Sequence, residues 1–116
     1  MDQILNSLLT ELRRGNLTLA VLSQLKTPQY GYSLAQSLEK IGVMIEQNTL
    51  YPLLRRLEKQ KLLVSHWDRS GARPRKYYEL SEYGKEIFQL VKTEWMQSTR
   101  RLYNVLNEGA DDHEFN

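Results

Sequence analysis

The feature of the sequence that most constrains the fold is a change in hydrophobic period at residue 62. Before it, four leucines recur at the spacing i, i+3, i+4, i+7, which is typical of a helix with one buried face. These are Leu50, Leu53, Leu54 and Leu57. After it, residues 62–67 and 76–80 are rich in β-branched and aromatic residues, and the loop between them contains Ser70, Gly71 and Pro74. The sequence therefore predicts a helix that leads directly into a β-hairpin.

Helical patterns flank this pair. Apolar residues at helical spacing predict one helix around residues 4–12 and a second around 17–25, with a break at Gly15-Asn16. A short helix follows over about 34–41, and Gly42 suits the position after its end. Ser81 is a suitable N-cap for a last, long helix from about Glu82 to Leu106.

The predicted fold class is mainly α with a small β-hairpin, in a winged helix-turn-helix arrangement. With 116 residues the chain suits one compact unit. We expect residues 1–80 to form a DNA-binding domain that includes the N-terminal helix, and 81–106 to form a C-terminal dimerisation helix. Residues 107–116, with several acidic side chains, are expected to be a disordered tail.

Positive charge is concentrated in the helix and hairpin. Between Arg55 and Lys76 there are eight basic and two acidic residues, although the net charge of the whole chain is only +2. Such a cluster attracts phosphate backbones. Charge alone favours an ordinary solvated face over a nucleic-acid contact.

The leucine helix carries the candidates for DNA contact. At 100° per residue, the face opposite the leucines presents polar and basic side chains. Asn and Arg can pair with base edges through two hydrogen bonds, whereas Lys suits phosphates. The candidates are Asn48, Thr49, Tyr51, Arg55, Arg56 and Lys59. The alternative is that they are exposed polar residues without a partner, but the basic hairpin at the expected distance favours DNA contact.

The hairpin tip supplies the remaining candidates, Arg73, Arg75 and Lys76. An arginine on such a loop can enter a narrow minor groove, where the negative potential is concentrated. The alternative is a solvated loop.

Features of enzymes, metal sites and membrane proteins are missing from the sequence. It has no cysteine, which excludes thiolate chemistry and fits the reducing cytoplasm, and no catalytic or phosphate-loop motif. His66 lies in a predicted strand and is interpreted as structural, and His113 lies in the tail. We expect no enzymatic activity, cofactor, metal or membrane partner.

Two motifs resemble those of a known family. The segment from Asn48 to Glu58, NTLYPLLRRLE, is similar to the recognition helix of PadR-family transcriptional regulators. The segment from Gly71 to Gly84, GARPRKYYELSEYG, resembles their wing and exit, and Gly31-Tyr32 matches the start of their second helix. The single C-terminal helix resembles the smaller subfamily of phenolic-acid and multidrug-responsive repressors. The resemblance implies a homodimer on a palindromic operator.

The apolar residues support a dimer independently. The N-terminal and last helices present more apolar surface than a winged-helix core can cover. The candidates for dimerisation are Leu5, Leu8, Leu9, Leu12, Val91, Trp95, Leu102 and Leu106.

Trp95 and Val91 leave two alternatives open. Trp95 either anchors the dimer interface or lines a cavity between subunits, where a planar aromatic effector stacks on it. Drug-responsive members of the family are similar here. For the whole protein, the alternative to a DNA-binding repressor is a winged-helix protein-interaction module without specific DNA binding.

Overall fold

A computed structural model describes residues 2–108. The elements in chain order are α1 (Gln3–Ser23), β1 (Gln29–Tyr30), α2 (Gly31–Lys40), α3 (Gln47–Lys59), β2 (Leu63–Asp68), β3 (Arg75–Leu80) and α4 (Glu82–Leu106). The predicted fold class is confirmed, with α-helices dominating and a hairpin after α3. Apart from its first two residues, the predicted tail (107–116) lies outside the described residues. Among residues 2–108, no helix has the length and apolar character needed to cross a membrane.

The leucine face of α3 lies at the centre of the core. Leu50 and Leu54 are fully buried, and Leu53 and Leu57 nearly so, as the spacing predicts. Burying each leucine contributes on the order of 1.5–3 kcal/mol. They pack against side chains from α1, α2, the sheet and α4. The other core residues are Val21, Leu22, Leu25, Leu34, Leu38, Leu63, Tyr78, Leu80 and Phe88.

The predicted break at Gly15-Asn16 is wrong, because α1 is one continuous helix from Gln3 to Ser23. A glycine inside a helix costs only about 1 kcal/mol relative to alanine. Asp2 caps the start of the helix by accepting a hydrogen bond from the Ile4 amide, at 3.1 Å. Asn16 does not compete for the backbone, since its side-chain oxygen accepts a hydrogen bond from Trp95.

Helices α2 and α3 end in the same way, with a residue in the left-handed region. Gly42 follows α2 at φ 87°, which confirms its predicted place, and Lys61 follows α3 at φ 68°. After α3, the Leu62 amide donates to the Leu57 carbonyl at 3.0 Å and the Lys61 amide to the Glu58 carbonyl at 2.9 Å. This pair of bonds is the Schellman motif. It turns the chain sharply from α3 into the first wing strand.

The hairpin is part of a three-stranded antiparallel sheet of order β1-β3-β2. Leu63 pairs with Leu80 and Asp68 with Arg75, so the two wing strands align along their full length. The third strand, β1, pairs Tyr30 with Tyr77. It was not predicted, because a two-residue strand shows no hydrophobic period.

The start of α4 is held against the turn that follows α3, at Lys61 and Leu62. As predicted, Ser81 caps α4, and its hydroxyl accepts a hydrogen bond from the Gly84 amide at 2.8 Å. The same hydroxyl donates to the Lys61 carbonyl at 2.7 Å. Gly84 lies against the Leu62 carbonyl so closely that any Cβ would come within 3.0 Å of it. One turn later Phe88 enters the core, so the first turns of α4 pack with residues 2–80.

Candidate nucleic-acid interface

The face of α3 opposite the leucines is exposed and cationic. Asn48, Arg55, Arg56 and Lys59 are all exposed. Within residues 2–108, no hydrogen bond or ion pair engages their side chains. Thr49 is also exposed, on the flank near the helix start. Side chains without internal partners on one helix face can bind an external polar surface.

Tyr51 differs from its neighbours because it is half-buried. Its ring lies against Gly31 at the start of α2, where an added Cβ would come within 3.0 Å of the ring. Gly31 therefore allows α3 to approach α2. The ring of Tyr51 also lines a cleft of about 990 Å³ between the start of α2 and the wing.

The wing forms the other wall of this cleft. Arg73 and Arg75 line it and are exposed. Arg75 also lies over the ring of Tyr30, with its guanidinium carbon 5.3 Å from the ring centre. The structure thus brings Tyr51 and both wing arginines to one cationic cleft beside α3.

Lys76, the third predicted wing contact, also lines the cleft but is less available to an outside partner. Its Nζ lies 3.4 Å from Glu58 Oε1 on α3 and 5.2 Å from the ring centre of Tyr78. Only 30% of the Lys76 side chain is exposed.

Asp68 lies at the end of β2, where the wing loop begins, and holds that loop in place. Its Oδ1 accepts hydrogen bonds from the Ser70 hydroxyl, at 2.6 Å, and from the Ser70 amide, at 3.0 Å. Its Oδ2 accepts from the Tyr30 hydroxyl at 2.7 Å. These bonds, those from Ser70 first, lower the pKa of Asp68 from 3.8 to about 2, and the bond to Asp68 raises the pKa of Tyr30. The loop is therefore tied through Asp68 to β1.

We expect this arrangement to make the Asp68 contribution to stability pH-dependent. Because the folded pKa is depressed, the contribution is fully present above about pH 4 and is lost as the pH falls towards 2. The difference in Tm between wild type and Asp68→Asn should therefore shrink between pH 5 and pH 2. NMR titration of the Asp68 carboxyl should show its pKa rising in Tyr30→Phe, and an unchanged value would contradict the assigned role of Tyr30.

The predicted dimerisation residues form apolar surfaces on α1 and α4. On α1, Leu5, Leu8 and Leu12 are exposed and Leu9 is half-buried. On α4, Val91, Leu102 and Leu106 are exposed. Leu102 and Leu106 are 54% and 73% exposed, high values for leucines.

Trp95 joins α4 to α1. Its indole Nε1 donates to Asn16 Oδ1 at 2.9 Å, and 43% of the residue stays exposed. Val91 lies one turn before it and is 45% exposed. Val91 and the Trp95 ring form an exposed apolar surface next to the hydrogen bond between Trp95 and Asn16.

The histidine that the structure describes lies within the sheet. His66 stacks on Tyr77, with ring centres 5.3 Å apart, and its Nε2 lies 3.6 Å from Glu79 Oε1. His113 lies outside the described residues. Residues 2–108 contain no cluster of three or more side chains suited to hold a metal ion.

Three residues at this site were missed from the sequence, namely Tyr30, Glu58 and Asp68. The signal that could have found two of them was their charge, since Glu58 and Asp68 are the two acids in the basic segment between Arg55 and Lys76. An acidic side chain within a segment of eight basic residues indicates an ion pair or a hydrogen bond inside the protein.

Three helices followed by a hairpin beside an exposed cationic helix define a winged helix-turn-helix protein. The model of the transcriptional regulator PadR-like family matches residues 18–90. The chain belongs to this family of transcriptional regulators.

Solved structures of the family are similar in fold. A PadR family transcriptional regulator from Eggerthella lenta is 47% identical, with a TM-score of 0.84 over 92% of this chain and 96% of that one. A PadR-like transcriptional regulator from Bacillus cereus is 29% identical, with a TM-score of 0.73 over 83% and 96%. Bacillus subtilis PadR, crystallised with operator DNA, is 22% identical over 63% of this chain and 43% of its own, and with a TM-score of 0.57 shares the fold. An uncharacterized protein of Lysinibacillus sphaericus is 27% identical over 107 residues.

Proposed function

We propose that the protein is a homodimeric repressor that binds a palindromic operator in the cytoplasm and is released by a planar aromatic ligand. The observation that carries the DNA-binding part is the face of α3. Asn48, Arg55 and Lys59 are exposed there and have no side-chain partner among residues 2–108, on a helix whose other face anchors the core. Placing this face in a major groove satisfies its donors.

Roles within the interface follow from side-chain chemistry. Asn48 and Arg55 suit base edges, because each can form two hydrogen bonds with one base. Arginine donates both bonds, whereas asparagine donates one and accepts one. Arg56 and Lys59 suit phosphates, as does Thr49 through its hydroxyl. The cleft beside α3 suits a DNA backbone that passes between Tyr51 and the arginines of the wing. Bacillus subtilis PadR, which shares the fold, is found on operator DNA.

A mobility-shift titration tests the function. Wild type is titrated against the region upstream of its own gene and against a scrambled duplex, at several stated salt concentrations. We expect the upstream region to bind about 1,000-fold tighter or more. Equal, weak binding to both duplexes would instead support a protein-interaction module.

Base readers and phosphate anchors should separate under mutation. We expect Arg55→Ala to weaken operator binding by about 1–3 kcal/mol for each half-site and to leave the scrambled duplex nearly unaffected. Lys59→Ala should weaken both duplexes alike and reduce the salt slope. Tyr51→Phe, which keeps the ring on Gly31, tests the hydroxyl alone. Identical behaviour of the Arg55 and Lys59 variants would contradict the assigned roles.

The homodimer rests on the uncovered apolar residues of α1 and α4. A second copy presents the same two helices, and a twofold axis would bury both surfaces at once. It would also place two α3 helices on one side of DNA. We expect half-site centres one helical turn apart, or a multiple of it.

The effector is proposed at Trp95. Its ring is partly exposed beside Val91, and the bond to Asn16 holds the ring in place. Two such rings facing each other across the dimer axis could hold a planar aromatic molecule. Such a ligand releases DNA only if it binds the free dimer more tightly than the operator-bound one.

Tryptophan fluorescence distinguishes a ligand site at Trp95 from a role of Trp95 in dimer packing alone. Planar aromatic compounds should quench the tryptophan fluorescence of wild type saturably. The same saturable quenching should remain in Trp67→Phe, which removes the exposed tryptophan of the wing strand β2. In Trp95→Phe the affinity should fall. If no compound of a broad panel binds saturably, Trp95 serves only to pack the dimer.

A further inference from the structure

Both acidic residues of the basic segment make internal bonds between elements. Glu58 and Asp68 are the only carboxylates between Arg55 and Lys76. Asp68 connects the wing loop to β1 through Tyr30. Glu58 connects α3 to both strands of the wing.

Glu58 makes two contacts with two different strands. Its Oε2 accepts a hydrogen bond from the hydroxyl of Ser65 on β2. Its Oε1 forms an ion pair with Nζ of Lys76 on β3, at 3.4 Å. The Glu58 side chain is two-thirds buried, so salt screens the ion pair less than it would at a fully exposed site. The side chain of Glu58 on α3 thus contacts both strands of the hairpin.

Within residues 2–108, Lys76 differs from the other cations of the interface in forming an ion pair with a carboxylate, whereas Arg75 lies only over the ring of Tyr30. Lys59, Arg55 and Arg73 are exposed, whereas the Lys76 ammonium is held between the Glu58 carboxylate and the ring of Tyr78. Moving it to a phosphate would break the ion pair and leave Glu58 as an uncompensated anion close to DNA.

We propose that Glu58 is a positioning residue that fixes the wing against α3, and that Lys76, which it holds, makes no phosphate contact. The proposal rests on the proposed DNA-binding function. It removes Lys76 from the DNA contacts that the sequence predicts. It also makes the angle between helix and wing depend on Glu58.

Salt dependence distinguishes a phosphate contact from a positioning residue. Each phosphate contact adds about 0.9 to the slope of log K against log salt. We expect Lys59→Gln to lower the slope by about 1.8 in the proposed dimer, because each of the two subunits loses one phosphate contact. Lys76→Gln should leave the slope unchanged, while the preference for operator over scrambled DNA falls. A drop of about 1.8 in Lys76→Gln, equal to that in Lys59→Gln, overturns the proposal.

Hydrogen exchange tests the positioning role in the free protein. In Glu58→Gln and in Ser65→Ala, the amides of the wing strands β2 and β3 should exchange several-fold faster than in wild type. Glu39→Gln is the matched control, because Glu39 is an exposed carboxylate on α2, away from the wing. Unchanged wing exchange in both variants overturns the positioning role.

The two tests fail independently. If wild type shows no preference for its upstream region, the proposed function fails, but hydrogen exchange still decides whether Glu58 holds the wing. Ser65→Ala changes no charge, so a loss of operator preference in this variant with an unchanged salt slope supports positioning. A preference equal to that of wild type counts against it.

Discussion

Gly84→Ala is expected to destabilise the protein by roughly 2–4 kcal/mol, a large part of the stability of a small domain. The added methyl would collide with the Leu62 carbonyl, and backbone cannot move aside as a flexible side chain can. Relief requires α4 to shift, which strains the Ser81 bonds to Lys61 and draws Phe88 out of the core. Urea unfolding followed by circular dichroism measures the change.

Gly15→Ala is the matched control, because Gly15 also lies inside a helix. No atom lies within 4 Å of a Cβ added there. Alanine should therefore stabilise α1, by about 1 kcal/mol or less. The same substitution should therefore lower the free energy of unfolding at Gly84 and raise it at Gly15. A Gly84→Ala protein as stable as wild type would show that α4 does not lie directly against the Leu62 carbonyl.

Leu102→Glu is expected to convert the proposed dimer to monomers. Leu102 is exposed, lies on the apolar face of α4 and is far from the core, so the monomer fold should survive. By twofold symmetry each substitution acts twice. Losing two buried leucines, at about 2 kcal/mol each, raises the dimer Kd about 1,000-fold before the charges are counted. Sedimentation velocity measures the assembly, and far-UV circular dichroism the fold.

Asn104→Glu is the matched control, since Asn104 is exposed two residues later on nearly the opposite face of α4. It adds the same charge but should leave the dimer intact. Operator affinity should fall about 100- to 10,000-fold in Leu102→Glu, because the second half-site is no longer bound by a linked subunit. A Leu102→Glu protein that remains dimeric would place the interface elsewhere.

Local patterns predicted most of the fold. The leucines of α3, the Ser81 cap and Gly42 each follow from short-range rules of helix geometry, and the structure agrees with all three. The continuity of α1 was missed, because Gly15 weakens a helix by only about 1 kcal/mol and the Asn16 side chain bonds to Trp95 instead of the backbone. β1 was missed because its two residues become a strand only by pairing with β3, a contact between residues nearly 50 positions apart.

The candidate site could be predicted in part. The cations of α3 and the wing follow from charge and helical spacing. The partner of Lys76 does not, because Glu58 and Lys76 meet only once α3 has packed against the hairpin. Whether a cation faces DNA or a carboxylate of its own chain depends on tertiary structure. Sequence alone therefore overestimates the number of free cations.

The joint at Ser81 and Gly84 has a consequence for operator geometry. Helix α4 has 25 residues and at 1.5 Å per residue is a lever about 37 Å long. A tilt of about 5° at its start would move its far end by about 3 Å, close to the 3.4 Å rise of one base pair. In the proposed dimer, the stiffness of this joint would therefore determine how well the regulator rejects operators whose half-sites are one base pair too close or too far apart.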